Sequence, residues 1–405
     1  MGDMLKKILK VFIFCFVAVL FTYIFWSNPN LTNKIAASIT DVVDQFASSE
    51  VVPYTKEFKV NELQISNSDY YYNKLTDTEK EIYDSLAASV ANLESDAVVR
   101  KYEYLDMNTT MEQVSNSMNA FFNDHPEVFY LDTQYKVATT DGFFGTNLNV
   151  YLNYLVSNKS DLNEKLNEIK SKIDIIMSSV NSNSSDFEKE LQIHDKLGDL
   201  TTYYRYKNEE DIPDECHTIY GTLITNKAVC DGFAKTLQII LNKVNIDTIF
   251  VTGSIDSEAH AWDMVKLDNE WYHLDLTSNK SLDENKTATN ILIHSYFNVT
   301  TNNIKNTHTI NNENQLPAAN SIKYNYYIYK NKNITKNDSF DTKLKSILST
   351  NTNANILEFS IDGVLDVANK VAKVLQSGNY TEYTSSSGNS FKYYNILNTY
   401  ILQKQ

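Results

Sequence analysis

Three blocks follow one another in a single stretch of the chain: Cys230-Asp231-Gly232-Phe233-Ala234, then His260-Ala261-Trp262-Asp263, then Trp271-Tyr272-His273-Leu274-Asp275-Leu276-Thr277. A thiol, an imidazole and a carboxylate in that order suit nucleophilic catalysis. A thiolate attacks, a histidine moves the proton, and an acid orients the histidine. Each residue type is common alone, so local structure has to bring them together. Phe233, Leu237, Ile240, Leu241 and Val244 recur at helical spacing behind the polar Asp231-Gly232. This predicts a buried helix with Cys230 at or just before its first turn. Unpaired amides at a helix N-terminus favour an anion and therefore a thiolate. The competing reading is an inert buried cysteine, which most free cysteines are.

The imidazole and the acid fall on two alternating segments, 259–267 and 270–276, joined by Asp268-Asn269, a pair suited to a two-residue hairpin loop. With that loop, Leu267 faces Glu270 and Trp262 faces Asp275. His260 then lies diagonally across from Asp275 on the same face. A three-residue loop would turn the two to opposite faces.

These blocks resemble the three signature blocks of the transglutaminase-like superfamily. Carried over residue by residue, the resemblance makes Cys230 the nucleophile, His260 the base and Asp275 the orienting acid. Tyr220-Gly221-Thr222-Leu223 and Lys227-Ala228-Val229 resemble the lead-in to the family's cysteine, and Ile193-His194-Asp195 its first helix. The likeness covers roughly residues 185–300. It implies an α+β fold with a papain-like core, a nucleophile helix packed on an antiparallel sheet. Trp262, two residues beyond His260 on the same strand face, either shields a thioester from water or packs the core.

The 405 residues, 42% hydrophobic and 21% charged, describe a globular chain with room for two or three domains. A net charge of -15 argues against nucleic acid as a partner. Lys6, Lys7 and Lys10 precede a nearly unbroken apolar run, 11–26, with no small-x-small cleavage site after it. That pattern predicts an uncleaved N-terminal signal-anchor over 1–28, with the remainder outside the cytoplasm. Secretion after signal cleavage is the alternative. Of the three cysteines, Cys15 falls inside this run, and Cys216 and Cys230 are both expected to be reduced in the active form.

Beyond the anchor we expect a polar stalk over 29–65, an N-terminal α+β module over 66–158, the catalytic domain over 159–300 and a small α+β extension over 301–405. The module should hold helices at 77–93, with Thr76 as N-cap, and at 111–122, ended by His125-Pro126-Glu127. Strands at 128–137 and 147–156 should flank a Gly142/Gly145 turn. Helices at 162–180 and 187–200 come next, and His194 on the second reads as a satisfied core histidine. Residues 246–252 read as the strand before that of His260. In the extension, strands are expected at 324–329, 356–361 and 391–397, and helices at 342–348 and 364–375. His273 and Met264 read as core lining.

Other chemistries lack their motifs. There is no Cys-x-x-Cys, no His-Glu-x-x-His and no phosphate-cradling glycine loop. No acidic loop of EF-hand spacing supports calcium, so no metal or cofactor is expected. Three functions remain: acyl transfer from protein glutamine amides to lysine amines through a Cys230 thioester, hydrolysis of the same thioester by a cysteine peptidase or amidase, and a non-catalytic surface module. The expected partners are protein or peptide substrates bearing Gln and Lys, and the membrane through the N-terminal segment. The oligomeric state is not encoded in any motif.

Overall fold

A computed structural model describes residues 69–142, 145–205, 212–282, 288–350, 356–377 and 398–403. The expected anchor and stalk lie outside these residues. Among the described residues, no helix is long and apolar enough to cross a membrane.

The N-terminal module begins with α1 (Asp77–Asn92). Thr76 accepts from the Glu79 N–H while the Glu79 carboxylate accepts from that of Thr76, a reciprocal cap that starts the helix where the sequence reading put it. α2 (Met107–Asp124) runs one turn earlier than expected, because the Asp106 carboxylate accepts from the N–H groups of Asn108 and Thr109. Three antiparallel strands complete the module in the order β1-β3-β2: β1 (Asp96–Val99), β2 (Lys136–Gly142) and β3 (Gly145–Tyr151). Two expectations are corrected here. The strand anticipated over 128–137 starts only at Lys136, since the chain leaving His125-Pro126 is a buried turn closed by Val128 N–H to His125 O. β1 was not anticipated at all.

Two capped helices lead into the core, α3 (Lys159–Ser178) behind Asn158 and α4 (Asp186–Leu200) behind Ser185. A short parallel pair, β4 (Thr202–Tyr203) and β5 (Lys227–Ala228), then delivers the chain to α5 (Cys230–Lys243). The central antiparallel sheet has the order β11-β6-β7-β8, from β6 (Thr248–Ile255), β7 (Glu258–Leu267), β8 (Glu270–Leu274) and β11 (His308–Ile310). Its outer strand comes from beyond residue 300, out of the segment expected to belong to the extension. Gly253 permits that approach, since a Cβ there would stand 1.9 Å from the Thr309 carbonyl oxygen.

The β7–β8 hairpin has the register read from the turn residues: Leu267 pairs with Glu270 and Asp263 with Leu274. Asp268 and Asn269 both adopt positive φ, 50° and 65°, as a two-residue type I′ loop demands. One sheet face packs Ile249, Val251, Trp262 and Met264 against Tyr296, Val299 and Ile304. On the other, Phe250 and Ala261 meet Ala234 of α5, with Cys230 at the edge of the cluster.

After β8 come the short α6 (Leu276–Asn279), the antiparallel pair β9 (Lys280–Leu282) and β10 (Ala288–Leu292), and α7 (Thr301–Ile304). A helical turn, α8 (Tyr326–Tyr329), replaces the strand expected over 324–329. Tyr326 and Tyr327 are consecutive and both buried, which an alternating strand does not allow. The C-terminal segment then forms a sheet of β12 (Asn333–Thr335), β13 (Ile356–Asp362) and β14 (Thr399–Gln403), packed against α9 (Phe340–Thr350) and α10 (Val367–Ser377). The strand expected at 391–397 lies outside the described residues. The described residues are α+β, as expected, with mostly antiparallel pairing.

Candidate active site

Cys230 is the first residue of α5 and is partly exposed. Its N–H precedes the first intrahelical bond, Phe233 N–H to Val229 O at 3.2 Å. His260, near the start of β7, has Nε2 2.8 Å from Oδ2 of Asp275. Cys230 packs against the cluster that holds Ala261, the next residue on β7, which brings its thiol close enough to favour the charged form of the His260 ring. Asp275 follows β8 directly and is fully buried, with Oδ1 accepting from the Ser278 N–H at 2.9 Å. The three sequence-predicted residues are therefore brought together, and the diagonal placement read from the hairpin is what joins His260 to Asp275.

A fourth residue was missed. His308, on β11, has Nε2 2.9 Å from the same Asp275 Oδ2, and its Nδ1 is 2.8 Å from Thr307 Oγ1. Asp275 thus holds two imidazoles on one oxygen. No local signal marks His308, because its partner strand lies some fifty residues upstream in sequence.

The charges follow from this packing. Burial works to lower the His260 pKa, but the charge of Asp275 and the bonds to Asp275 and Cys230 outweigh it and push the value up to about 10. Asp275 moves the opposite way. Its burial alone would raise it, yet His260 and His308 hold its carboxyl well below the usual range. The result is an imidazolium–carboxylate pair next to the thiol.

Trp262 belongs to the core. It is 1% exposed, its ring stacks on His260 at 6.0 Å between centroids, and its indole N–H donates to His273 Nδ1 at 3.0 Å. Met264 and His273 are buried beside it, as expected. His194 is also buried and satisfied. Its Nδ1 lies 2.9 Å from Asp195 Oδ1, which in turn meets His294 Nε2 at 2.9 Å, while His294 Nδ1 reaches Glu358 Oε1 at 2.5 Å.

Among the described residues, two clusters bring three ligand-type atoms within 4.8 Å of one another: His260, Asp275 and His308, and His194, Asp195 and His294. In the second, protons account for the geometry. Asn279 Oδ1 accepts from the Tyr296 N–H, so its Nδ2 must donate to His194 Nε2, and His194 therefore carries its proton on Nδ1 toward Asp195. That nitrogen has no lone pair left for a metal.

Residues 174–276 match the profile of the Transglutaminase-like superfamily. That segment is a transglutaminase-like core. Among solved structures, the chain is similar to one described as the crystal structure of a TGase, at 17% identity, covering 46% of this chain and 51% of that one with a TM-score of 0.26. A candidate cysteine protease from Cytophaga hutchinsonii shares 12% identity over 36% of this chain and 63% of its own, with a TM-score of 0.23. A candidate protease from Parabacteroides distasonis shares 10% over 40% and 42%, with a TM-score of 0.20. The chain thus spans about half the length of these structures. Scores this low carry no argument about chemistry. No curated protein matches the chain.

Proposed function

We propose that the protein is a thiol acyltransferase acting on glutamine side chains of proteins or peptides. The observation that carries this reading is the His260–Asp275 hydrogen bond beside a thiol on the first residue of a helix. In the first half-reaction the Cys230 sulfur attacks the side-chain amide carbon. The N–H of Cys230, unused by the helix, is the donor available to the developing oxyanion. The His260 imidazolium gives its proton to the departing ammonia as the C–N bond breaks, leaving a thioester. In the second half, a lysine amine attacks the thioester carbon and loses a proton to His260, and the thiolate leaves. Asp275 keeps the imidazole aligned throughout, with His308 holding Asp275 from the other side. Residues 8–26 would hold the enzyme at the outer face of the membrane.

Water in place of the amine would make the same thioester a hydrolytic intermediate. One experiment separates the outcomes: incubation with a glutamine-bearing protein and a labelled primary amine. Amine incorporation is expected, and it should vanish in Cys230→Ala. Free glutamate or new chain termini without incorporation would replace the transfer reading by hydrolysis.

A further inference from the structure

The turn before the nucleophile carries another imidazole–carboxylate pair, which the chemistry above does not use. His217 ends the 3-10 turn Asp214–His217, and its Nδ1 lies 3.0 Å from each oxygen of Asp231, the residue next to Cys230. The main chain on both sides of His217 lies against the start of α5. Cys216 O accepts from the Val229 N–H at 3.0 Å. A Cβ on Gly232 would stand 2.4 Å from Cys216 O and 3.2 Å from Thr218 O, so glycine is what lets the two segments touch. Lys235 donates to the His217 carbonyl at 3.0 Å, and its ammonium is 3.7 Å from Asp231. The pair is therefore fixed relative to Cys230 by backbone contacts.

Asp231 is fully engaged, since it also accepts from the Gly232 N–H at 3.0 Å. What remains is the outer edge of the ring. The His217 side chain is 40% exposed, and among the described residues none is hydrogen-bonded to its Nε2. His194, by contrast, spends both ring nitrogens on neighbours. His217 spends one, on the carboxylate of the residue that follows the nucleophile, and leaves the other without a protein partner on a partly exposed ring.

We propose that His217 is a specificity residue of the acyl-donor site, its Nε2–H donating to an oxygen of the substrate peptide beside the residue that acylates Cys230. That oxygen is a main-chain carbonyl or a flanking side-chain carboxylate, and the proposal rests on the acyl-transfer reading. The bond to Asp231 outweighs burial and raises His217 above the ordinary imidazole range, with Lys235 opposing and Asp214 assisting. In the charged form that Asp231 favours, both ring nitrogens carry a proton, so Nε2 is a donor.

The test uses the full chain and three probes of Cys230: iodoacetamide, a diazoketone analogue of glutamine alone, and the same analogue flanked by capped residues, either alanine or glutamate. In His217→Ala, half-saturation by the flanked probes should rise about tenfold, the scale of one hydrogen bond from a charged donor. The unflanked analogue and iodoacetamide should react as in the wild type. His217→Gln, which keeps a donor, should recover most of the loss. A larger effect with glutamate than with alanine identifies the carboxylate as the partner, and equal effects identify the main chain. If flanked and unflanked probes respond alike while alkylation is normal, the proposal is overturned and the acyl-transfer reading stands. If Cys230 of the wild type reacts no faster than Cys216, it is the acyl-transfer reading that fails. Should His217→Ala not fold, Asp231→Asn must give the same selective rise, or the proposal is overturned.

Discussion

Among the described residues, two clusters each join two histidines to one aspartate at 2.8–2.9 Å. In one, His260 and His308 share Asp275. In the other, His194 and His294 share Asp195, and Glu358 takes the second nitrogen of His294. Residue type does not separate them. The difference lies in what the remaining nitrogen meets. His260 turns it to a partly exposed thiol, so the proton it holds can leave with a reaction. His194 turns its own to the buried Asn279, from which it accepts, and His294 turns its own to the buried Glu358, so neither faces a group that could react. On the acyl-transfer proposal, the first cluster is the reacting one. The second joins α4, the segment around His294 and β13, with Tyr327 adding a bond to Glu358 at 2.8 Å.

The largest expected effect separates the clusters by activity. His260→Ala should cut kcat/KM by about 10³- to 10⁴-fold, and Asp275→Asn should fall in the same range, in line with other triads. Because the residues act as one unit, the double variant should be little worse than His260→Ala alone. Steady-state kinetics on the folded variants checks this, and defects that multiply would mean that Asp275 works elsewhere.

The second cluster should register in stability instead. Burial would lower His294, but the charges and bonds of Glu358 and Asp195 raise it to about 9. A raised histidine stabilises fully below its unfolded pKa, near 6.5, and the contribution is lost as pH climbs through the folded value. Stability should therefore decline between pH 6.5 and about 9, with His260 adding to the decline in an overlapping window up to about 10. Glu358→Ala strips a buried cation of one partner and should cost about 3–5 kcal/mol in denaturant unfolding at pH 6.5. Its pH slope should be shallower than that of the wild type. An unchanged slope would remove His294 from the account.

The smallest effect tests whether His308 belongs to the reacting cluster. His308→Asn removes one of the two bonds on Asp275 Oδ2 and should lower kcat about tenfold, the value of a single bond to a charged acceptor, with little change in KM. A fall in melting temperature without a fall in kcat would assign His308 to the core.

Much of the first cluster could be read before any coordinates, because its determinants are local. The helix that begins at Cys230 follows from apolar spacing behind Asp231-Gly232. The diagonal meeting of His260 and Asp275 follows from a loop of two residues that both tolerate positive φ. Where the reading failed, longer-range packing decided. The 324–329 segment looks like a strand by composition, yet Tyr326 stacks on His294 at 3.9 Å and Tyr327 reaches Glu358, and a helical turn is what points consecutive tyrosines at one network.

The sequence by itself thus determined the placement of the three groups and their order: a thiol at a helix start, an imidazole and an acid on one hairpin face, in a transglutaminase-like core. These are short-range matters of period, capping and turn geometry, which neighbouring residues settle among themselves. Only the tertiary structure decided who else touches Asp275, which histidine keeps a free edge, and where Glu358 finds its cation. His308 and Asp275 are joined because β11 returns to pair with β6 where Gly253 leaves room for it. Such a pairing depends on the energies of distant segments together, and no window of sequence contains them.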